Sequence, residues 1–312
     1  MKNLTPALSA AAALVTLALA APPIAHASAI IGLDPTGGGG YTTYADLWTS
    51  VTNTAMATGF IPGLTVGGNG LVSTLSAPYV AELRSQMVIG TMSRDGGQVT
   101  PPTLNSGFEL SAVVRFQEWI DQQTPTSAHF TMPSSQSAAM DVDPLHAGVQ
   151  NIAFYLDRLG PGGASAAVPG NGADTVRCYG AGSTSAGCGG PGDPDGDGIM
   201  IMSGHLVYNE GHVSVNTVAT GAFDMRFEID YVNGAYLDLA TGAILQNQLT
   251  GTANIPTFYT PATMWDGTTS DGTPLLKFDG SPTFLAPEPG TLALAGLGLA
   301  GLALGRRRGA AA

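Results

Sequence analysis

The sequence contains little positive charge, and this scarcity limits the partners that the protein can bind. Only 11 of the 312 residues are lysine or arginine, against 23 aspartate and glutamate residues, so the formal net charge is -12 at pH 7. A negative surface repels the phosphates of nucleic acids, which argues against nucleic acid as a partner. Such a surface is compatible instead with divalent cations or with an extracellular matrix.

Short motifs of common enzyme families are also missing. No serine lies in a G-x-S-x-G frame and no histidine lies in an H-E-x-x-H frame. The glycine run at residues 37–40 lacks the Gly-Lys-Ser/Thr ending of a phosphate-binding loop, so we interpret it as a flexible turn. Glu228 and Asp230 share one face of a predicted strand, where glycosidases place catalytic acids, but a solvated sheet face has the same pattern. We therefore predict that the protein is not an enzyme, with satisfied or solvent-facing side chains at His129, His146, His205 and His212.

The N-terminal segment has the three parts of a secretory signal peptide. Lys2 supplies a small positive region and residues 7–21 form an apolar core. A cleavage site with small residues follows, either Ala-His-Ala at residues 25–27 or Ala-Ser-Ala at residues 27–29. We therefore expect residues 1–29 to be removed on export.

The C-terminal segment, residues 286–312, combines three features in a fixed order. An apolar run partitions into a bilayer, and arginines behind it hold that end on the cytoplasmic side, so the preceding chain lies on the export side. As a helix the run is roughly 24 Å long, against a hydrocarbon core of roughly 30 Å, so it predicts one marginal transmembrane helix. The three features are the tripeptide Pro287-Glu288-Pro289, the uncharged run at residues 290–305, and the triplet Arg306, Arg307 and Arg308.

Together these C-terminal features closely resemble the PEP-CTERM sorting signal of proteins exported by Gram-negative bacteria that also make exopolysaccharide. The resemblance covers only residues 286–312, but tripeptide, apolar run and basic tail occur there together. It implies that an exosortase-type membrane protease processes the chain near the tripeptide and that the precursor is held transiently in the inner membrane. The mature protein is then expected at the cell surface or in the medium. A single-span tail anchor that is never cut is the alternative.

Two further stretches loosely resemble the flocculation-associated members of that group. They are Asp34-Pro35-Thr36 with the glycines after it, and a glycine-rich loop that carries the cysteines and several aspartates. The resemblance implies a structural or adhesive role in flocculation or biofilm, with the exopolysaccharide matrix as partner. The alternatives are a calcium- or carbohydrate-binding module and a secreted polysaccharide hydrolase. We interpret Trp48, Trp119 and Trp265 as exposed rings available for stacking on sugars. For Trp119, which extends a predicted strand, burial is the alternative.

Cys178 and Cys188 are the only cysteines. Their spacing is not the C-x-x-C of a redox motif, and no histidine lies near enough in sequence to complete a metal ligand set. In an exported chain, an even and closely spaced pair predicts a local disulfide.

Three aspartates at alternate positions, Asp193, Asp195 and Asp197, resemble the first half of a calcium-binding loop, because a glycine follows the third. The second half fails, since the position of the usual bidentate glutamate is Gly204. Two interpretations stay open: a calcium site completed by ligands from elsewhere, and an acidic surface turn. We predict no other cofactor.

Short alternating segments predict an all-β domain at residues 30–285, either an antiparallel β-sandwich or a jelly-roll-like fold. The clearest strands are residues 108–120 and 223–232, where apolar and polar side chains alternate. Residues 198–208 and 213–218 are predicted as neighbouring strands joined by a hairpin turn at Asn209-Glu210-Gly211. Residues 71–92 fit either a helix or strands, with a slight preference for strands. Other predicted strands are residues 151–157, 236–245, 275–278 and 283–285.

Overall fold

The computed structural model describes residues 28–61, 78–124, 126–158, 199–215, 219–254, 264–266, 268 and 275–285. All of them belong to one compact unit, Ser28–Pro287. Within these residues the only helical element is a single 3-10 turn, Ala138–Met140. The strands are β1 (Ile31–Leu33), β2 (Thr43–Ala45), β3 (Leu47–Thr58), β4 (Tyr79–Arg94), β5 (Gly97–Gln98), β6 (Phe108–Thr124), β7 (Ser127–Thr131), β8 (Ile152–Arg158), β9 (Ile199–Val215), β10 (Ala219–Val232), β11 (Leu237–Asp238), β12 (Ile244–Asn254) and β13 (Leu275–Leu285).

Eight of these strands close into one antiparallel ring. Its order is β3, β4, β6, β8, β9, β10, β12 and β13, and β13 pairs with β3 to complete it. Strands β7 and β8 share the gap between β6 and β9, with β8 at one end and β7 at the other. Closure leaves few unpaired strand edges. The predicted all-β antiparallel class is confirmed, and β4 shows that residues 79–92 form a strand.

The interior of the ring is a packed apolar core. Side chains alternate along β6, so that Leu110, Val114 and Phe116 point inward and are completely buried. Trp48 is also completely buried, and its ring meets Phe154 and Phe284 edge-on at centroid distances of 5.7 and 5.1 Å. Aromatic pairs in this arrangement add to the hydrophobic gain from burial. The interpretation of Trp48 as a sugar-stacking residue is therefore wrong.

Strand β9 corrects the predicted hairpin at Asn209-Glu210-Gly211. These residues continue the strand without a turn, because both edges of β9 are paired, to β10 on one side and to β7 and β8 on the other. Gly211 is required by packing, since a Cβ atom there would lie 2.3 Å from Cδ1 of Phe223. His205 and His212 therefore lie on one strand and not on two neighbouring strands.

A smaller sheet, with the order β11, β1, β2, packs Ile31, Leu33 and Leu237 against the same core. The glycine run follows β1, and the carboxylate of Asp34 organises this turn. Its oxygens accept hydrogen bonds from the backbone N–H groups of Thr36, Gly38 and Gly40 and from the Thr36 hydroxyl, at 2.6 to 2.9 Å. The Thr36 hydroxyl bond is the largest of the effects that lower the pKa of Asp34, to about 2, and together with the backbone bonds it outweighs the opposing effect of burial.

We expect Asp34→Asn to lower the free energy of unfolding at pH 7 by about 1–3 kcal/mol, because hydrogen bonds to an ionised acceptor are lost. The folded pKa lies below the unfolded value of 3.8. The difference in the free energy of unfolding between wild type and Asp34→Asn should therefore be complete above about pH 4 and disappear as the pH falls towards 2. Urea unfolding at several pH values measures this difference. Asp238→Asn, which removes an exposed carboxylate on β11, is the control. A deficit that persists unchanged at pH 2 would contradict the assignment.

Candidate functional site

Most of the residues predicted from sequence as sites lie outside the described residues. These are the signal peptide up to residue 27, the cysteines Cys178 and Cys188, the aspartates Asp193, Asp195 and Asp197, and the sorting segment from residue 286 onward. The disulfide and the calcium site therefore stay predictions. The described chain ends at Leu285, the last residue of β13 and a neighbour of Ile244 in β12.

A Ser-Asp-His group lies at the loop before β8, but its connectivity is not that of a hydrolase. Ser203 Oγ donates to Asp143 Oδ2 at 2.6 Å, and His146 Nδ1 lies 2.5 Å from the same oxygen. In a catalytic triad the histidine stands between the serine and the carboxylate. Here the carboxylate stands in the middle, and both Asp143 and Ser203 are fully buried. The ring of His146 stacks on Tyr231, so the group fastens this loop to the sheet.

An open cleft of about 510 Å³ lies on the outer side of the ring. Its lining combines the loop after β7, including Ser134, Ser135 and Gln136, with His205 of β9 and Asp230 of β10. His205 Nδ1 lies 2.6 Å from Asp230 Oδ2. A carboxylate at Nδ1 fixes the imidazole so that Nε2 can accept a proton, as in the Asp–His half of a triad. The cleft therefore offers an oriented base and several hydroxyl and amide groups.

The exposed aromatic residue that sequence analysis pointed to is Trp119. It is 38% exposed on the outer face of β6, directly opposite the exposed Val80 of β4. Trp265 is only partly exposed, because it packs against the side chains of Met56 and Met264. Of the three tryptophans, Trp119 keeps the accessible ring face that stacking on a sugar requires.

A second polar group on the outer face joins strands β6, β7 and β9. His129 and His212 are directly opposite each other in the β7–β9 pair, and Glu210 shares the face of His212 because it lies two residues earlier. Asp121 reaches the group through a β-bulge: Ile120 pairs with Phe130 and Gln122 with His129, which leaves Asp121 without a partner in the ladder. A bulge of this kind redirects the side chain of the extra residue.

The side chains of this group converge on His129. Its Nδ1 lies 2.5 Å from Asp121 Oδ1 and its Nε2 lies 2.7 Å from Glu210 Oε1. His212 Nε2 lies 3.7 Å from the same Glu210 oxygen, and the two imidazole rings are 4.5 Å apart. Burial lowers the pKa of His129, but the hydrogen bonds to Glu210 and Asp121 outweigh this effect, so its pKa lies above the ordinary value.

Sequence analysis missed this group, although one signal for it was present. Glu210 and His212 are two residues apart, which places them on one face of any strand. The sequence Asn209-Glu210-Gly211 also predicts a turn, and a turn does not have the periodicity of a strand. The contact of Glu210 and His212 with His129 depends on the pairing of β7 with β9, and no local sequence pattern predicts that pairing.

The interior of the ring holds one strongly perturbed carboxyl group, Glu118 of β6. It is 1% exposed, and within the described part of the chain neither of its carboxylate oxygens has a hydrogen bond of normal geometry. Burial raises the pKa of Glu118 to about 8, and the neighbouring Asn209 amide only partly opposes this effect. Perturbed acids often mark active sites, but Glu118 is closed off from solvent by the core around it.

We expect Glu118→Gln to stabilise the fold at pH 8 by more than about 1 kcal/mol, the equivalent of one pKa unit. The folded pKa lies above the unfolded value of 4.5. The wild type therefore loses stability as the pH rises from 4.5 to 8, since the unfolded chain releases a proton that the folded chain retains. Denaturant unfolding across this range should give a steeper decline for wild type than for the variant. Parallel curves would show that Glu118 is ionised in the fold.

Comparison with protein families gives one match: the PEP-CTERM protein-sorting motif covers residues 285–308. This range begins at the last residue of β13 and includes Pro287, Glu288, Pro289, Arg306, Arg307 and Arg308, so the predicted recognition of the motif is confirmed. The comparisons with curated proteins and with solved structures give no match. Within the described residues, no helix is long and apolar enough to cross a membrane.

Proposed function

We propose that this exported protein, whose PEP-CTERM motif directs a membrane-anchored precursor through exosortase to the cell surface, has a structural or adhesive role there. The setting is the extracellular matrix of a Gram-negative bacterium, in flocculation or biofilm formation. The observation that carries the proposal is the motif at residues 285–308. It follows the last strand of the ring directly, so the sorted product keeps the whole domain.

The charge distribution of the domain supports a matrix role. Each of the four arginines whose side chains are described lies in an ion pair, so few free cations offset the acidic groups. Arg84, for example, lies 2.8 Å from Glu82 and 2.9 Å from Asp266. An acidic outer face of this kind attracts divalent cations, which bridge negatively charged polymers. The exopolysaccharide matrix is therefore the partner that we propose, beside the exosortase itself.

The proposed role is not enzymatic. The buried Ser203–Asp143–His146 group has the wrong connectivity for a nucleophile, because its serine donates directly to the carboxylate. Of the acids first considered as a glycosidase pair, Asp230 is engaged by His205 at 2.6 Å. These observations argue against a triad at Ser203 and against a glycosidase pair of Glu228 and Asp230, and the cleavage assay below tests the base at His205.

Deleting the gene should leave the cells dispersed while they still make polysaccharide. Expression of the wild-type chain should restore the flocs, and a chain with Pro287, Glu288 and Pro289 replaced by alanine should not, because exosortase no longer recognises it. Intact mass of the surface protein reports both trimmed ends in the same cells. Unchanged flocs after deletion would refute the adhesive role, whereas an untrimmed protein with flocs restored would refute the sorting step.

The cleft beside His205 favours a second candidate function, binding of a carbohydrate. Its volume of about 510 Å³ and its hydroxyl and amide groups suit a small part of a polysaccharide chain. His205 would donate or accept a hydrogen bond through Nε2, because Nδ1 is held by Asp230.

We expect His205→Ala and Asp230→Asn each to weaken binding of the exopolysaccharide of the same bacterium by about tenfold or more, the equivalent of one lost hydrogen bond to a charged or oriented group. Co-sedimentation with the purified polymer measures binding, and a reducing-end assay measures cleavage. Binding without cleavage supports the module. Cleavage that both variants abolish would replace it with a hydrolase, and wild-type binding by both variants would exclude the cleft.

A further inference from the structure

We propose that His129, Glu210 and His212 form a binding site for a divalent transition metal ion of the zinc class on the outer face of β7 and β9. Two imidazoles and one carboxylate are an established ligand set for zinc. The potential ligand atoms of the three residues all lie within 4.8 Å of one another. The site is independent of the sorting motif and of the cleft at His205.

The distances between the ligand atoms fit a metal ion. Ligands at roughly 2.1 Å from a tetrahedral zinc ion are roughly 3.4 Å apart. The two Nε2 atoms lie 2.7 and 3.7 Å from the same Glu210 oxygen, on either side of that value. Small side-chain shifts therefore bring these two distances to that value, and all three ligand atoms already lie within 4.8 Å of one another, while the paired strands hold the backbone.

The position of His212 is not explained by the hydrogen bonds of the group. At 3.7 Å its Nε2 is too far from Glu210 for a hydrogen bond, yet its ring lies beside that of His129 and points at the same oxygen. A cation bound between the two imidazoles and this oxygen would give His212 Nε2 a coordination bond in place of the hydrogen bond that it lacks. An ion pair of His129 with Glu210 would not need His212.

Asp121 has the role of a positioning residue. Its carboxylate lies 2.5 Å from His129 Nδ1, which fixes the ring and leaves Nε2 for the metal. Metal-bound histidines usually donate their other N–H to a carboxylate in this way. The β-bulge that redirects Asp121 therefore supports the site, because a regular strand would not present this carboxylate to His129.

The site has room for a further ligand from outside the chain. The side chain of His212 is 68% exposed and that of Glu210 is 39% exposed, while His129 is only 18% exposed. Three protein ligands leave a fourth position of the metal open. This position faces solvent, so it takes a water molecule or a donor atom from a second molecule.

The test is titration of the full-length chain in detergent with Zn²⁺ alone by isothermal calorimetry, and with Ca²⁺ in parallel. We expect one zinc site, with affinity at least tenfold lower in His212→Ala and in Glu210→Gln. Asp121→Asn should weaken zinc binding about 10- to 100-fold while all three ligands stay in place. Asp238→Asn removes one exposed carboxylate elsewhere and should bind zinc like the wild type.

Because His212 is largely exposed, His212→Ala should unfold at the same temperature as the wild type without metal. Zinc should raise the unfolding temperature of the wild type more than that of this variant, since the wild type gains more free energy of metal binding. Zinc binding that is unchanged in His212→Ala overturns the proposal. So does calcium binding as tight as zinc binding that Glu210→Gln weakens and His212→Ala leaves unchanged, because oxygen ligands at this site would then account for it.

Discussion

Closure of the sheet is the constraint on which the rest of the structure depends. A closed ring has a single inner face, and along each strand the side chains must alternate between that face and solvent. The inner face is filled by apolar residues such as Trp48 and Phe116. The polar groups of the cleft and of the histidine cluster are therefore found on the outer face, and the buried Glu118, whose pKa burial raises to about 8, is an exception.

Irregularities in the strands decide which polar groups meet. His205 and His212 are seven residues apart, so on a regular strand they would lie on opposite faces. In β9 the pairing shifts between Leu206 and Tyr208, which leaves Val207 as an extra residue and returns the later side chains to the outer face. Because of this one bulge, His205 lies at the cleft while Glu210 and His212 lie beside His129, all on the outer face. The bulge at Asp121 acts in the same way on β6.

Local patterns in the sequence were sufficient for the fold class and for the sorting motif. The alternation at residues 223–229 matches the buried Met225, Phe227 and Ile229 of β10, and the motif is contained in contiguous residues. The histidine cluster could not be predicted in the same way. It depends on pairing between β7 and β9, which are far apart in sequence, and on bulges that no periodicity reveals. Asn209-Glu210-Gly211 was misleading, because glycine there makes space for the ring of Phe223 and does not turn the chain.

The pairing of β3 with β13 has a consequence for the order of events during export. These strands are the first and the last of the ring, and Leu276 of β13 lies opposite Ala55 of β3. Contacts between such distant parts of a chain form slowly, because closing the long intervening loop costs conformational entropy. The ring therefore cannot close before residues 275–285 have crossed the membrane, and the sorting motif arrives directly behind them. Completion of the domain and its presentation to the protease become nearly simultaneous steps of translocation.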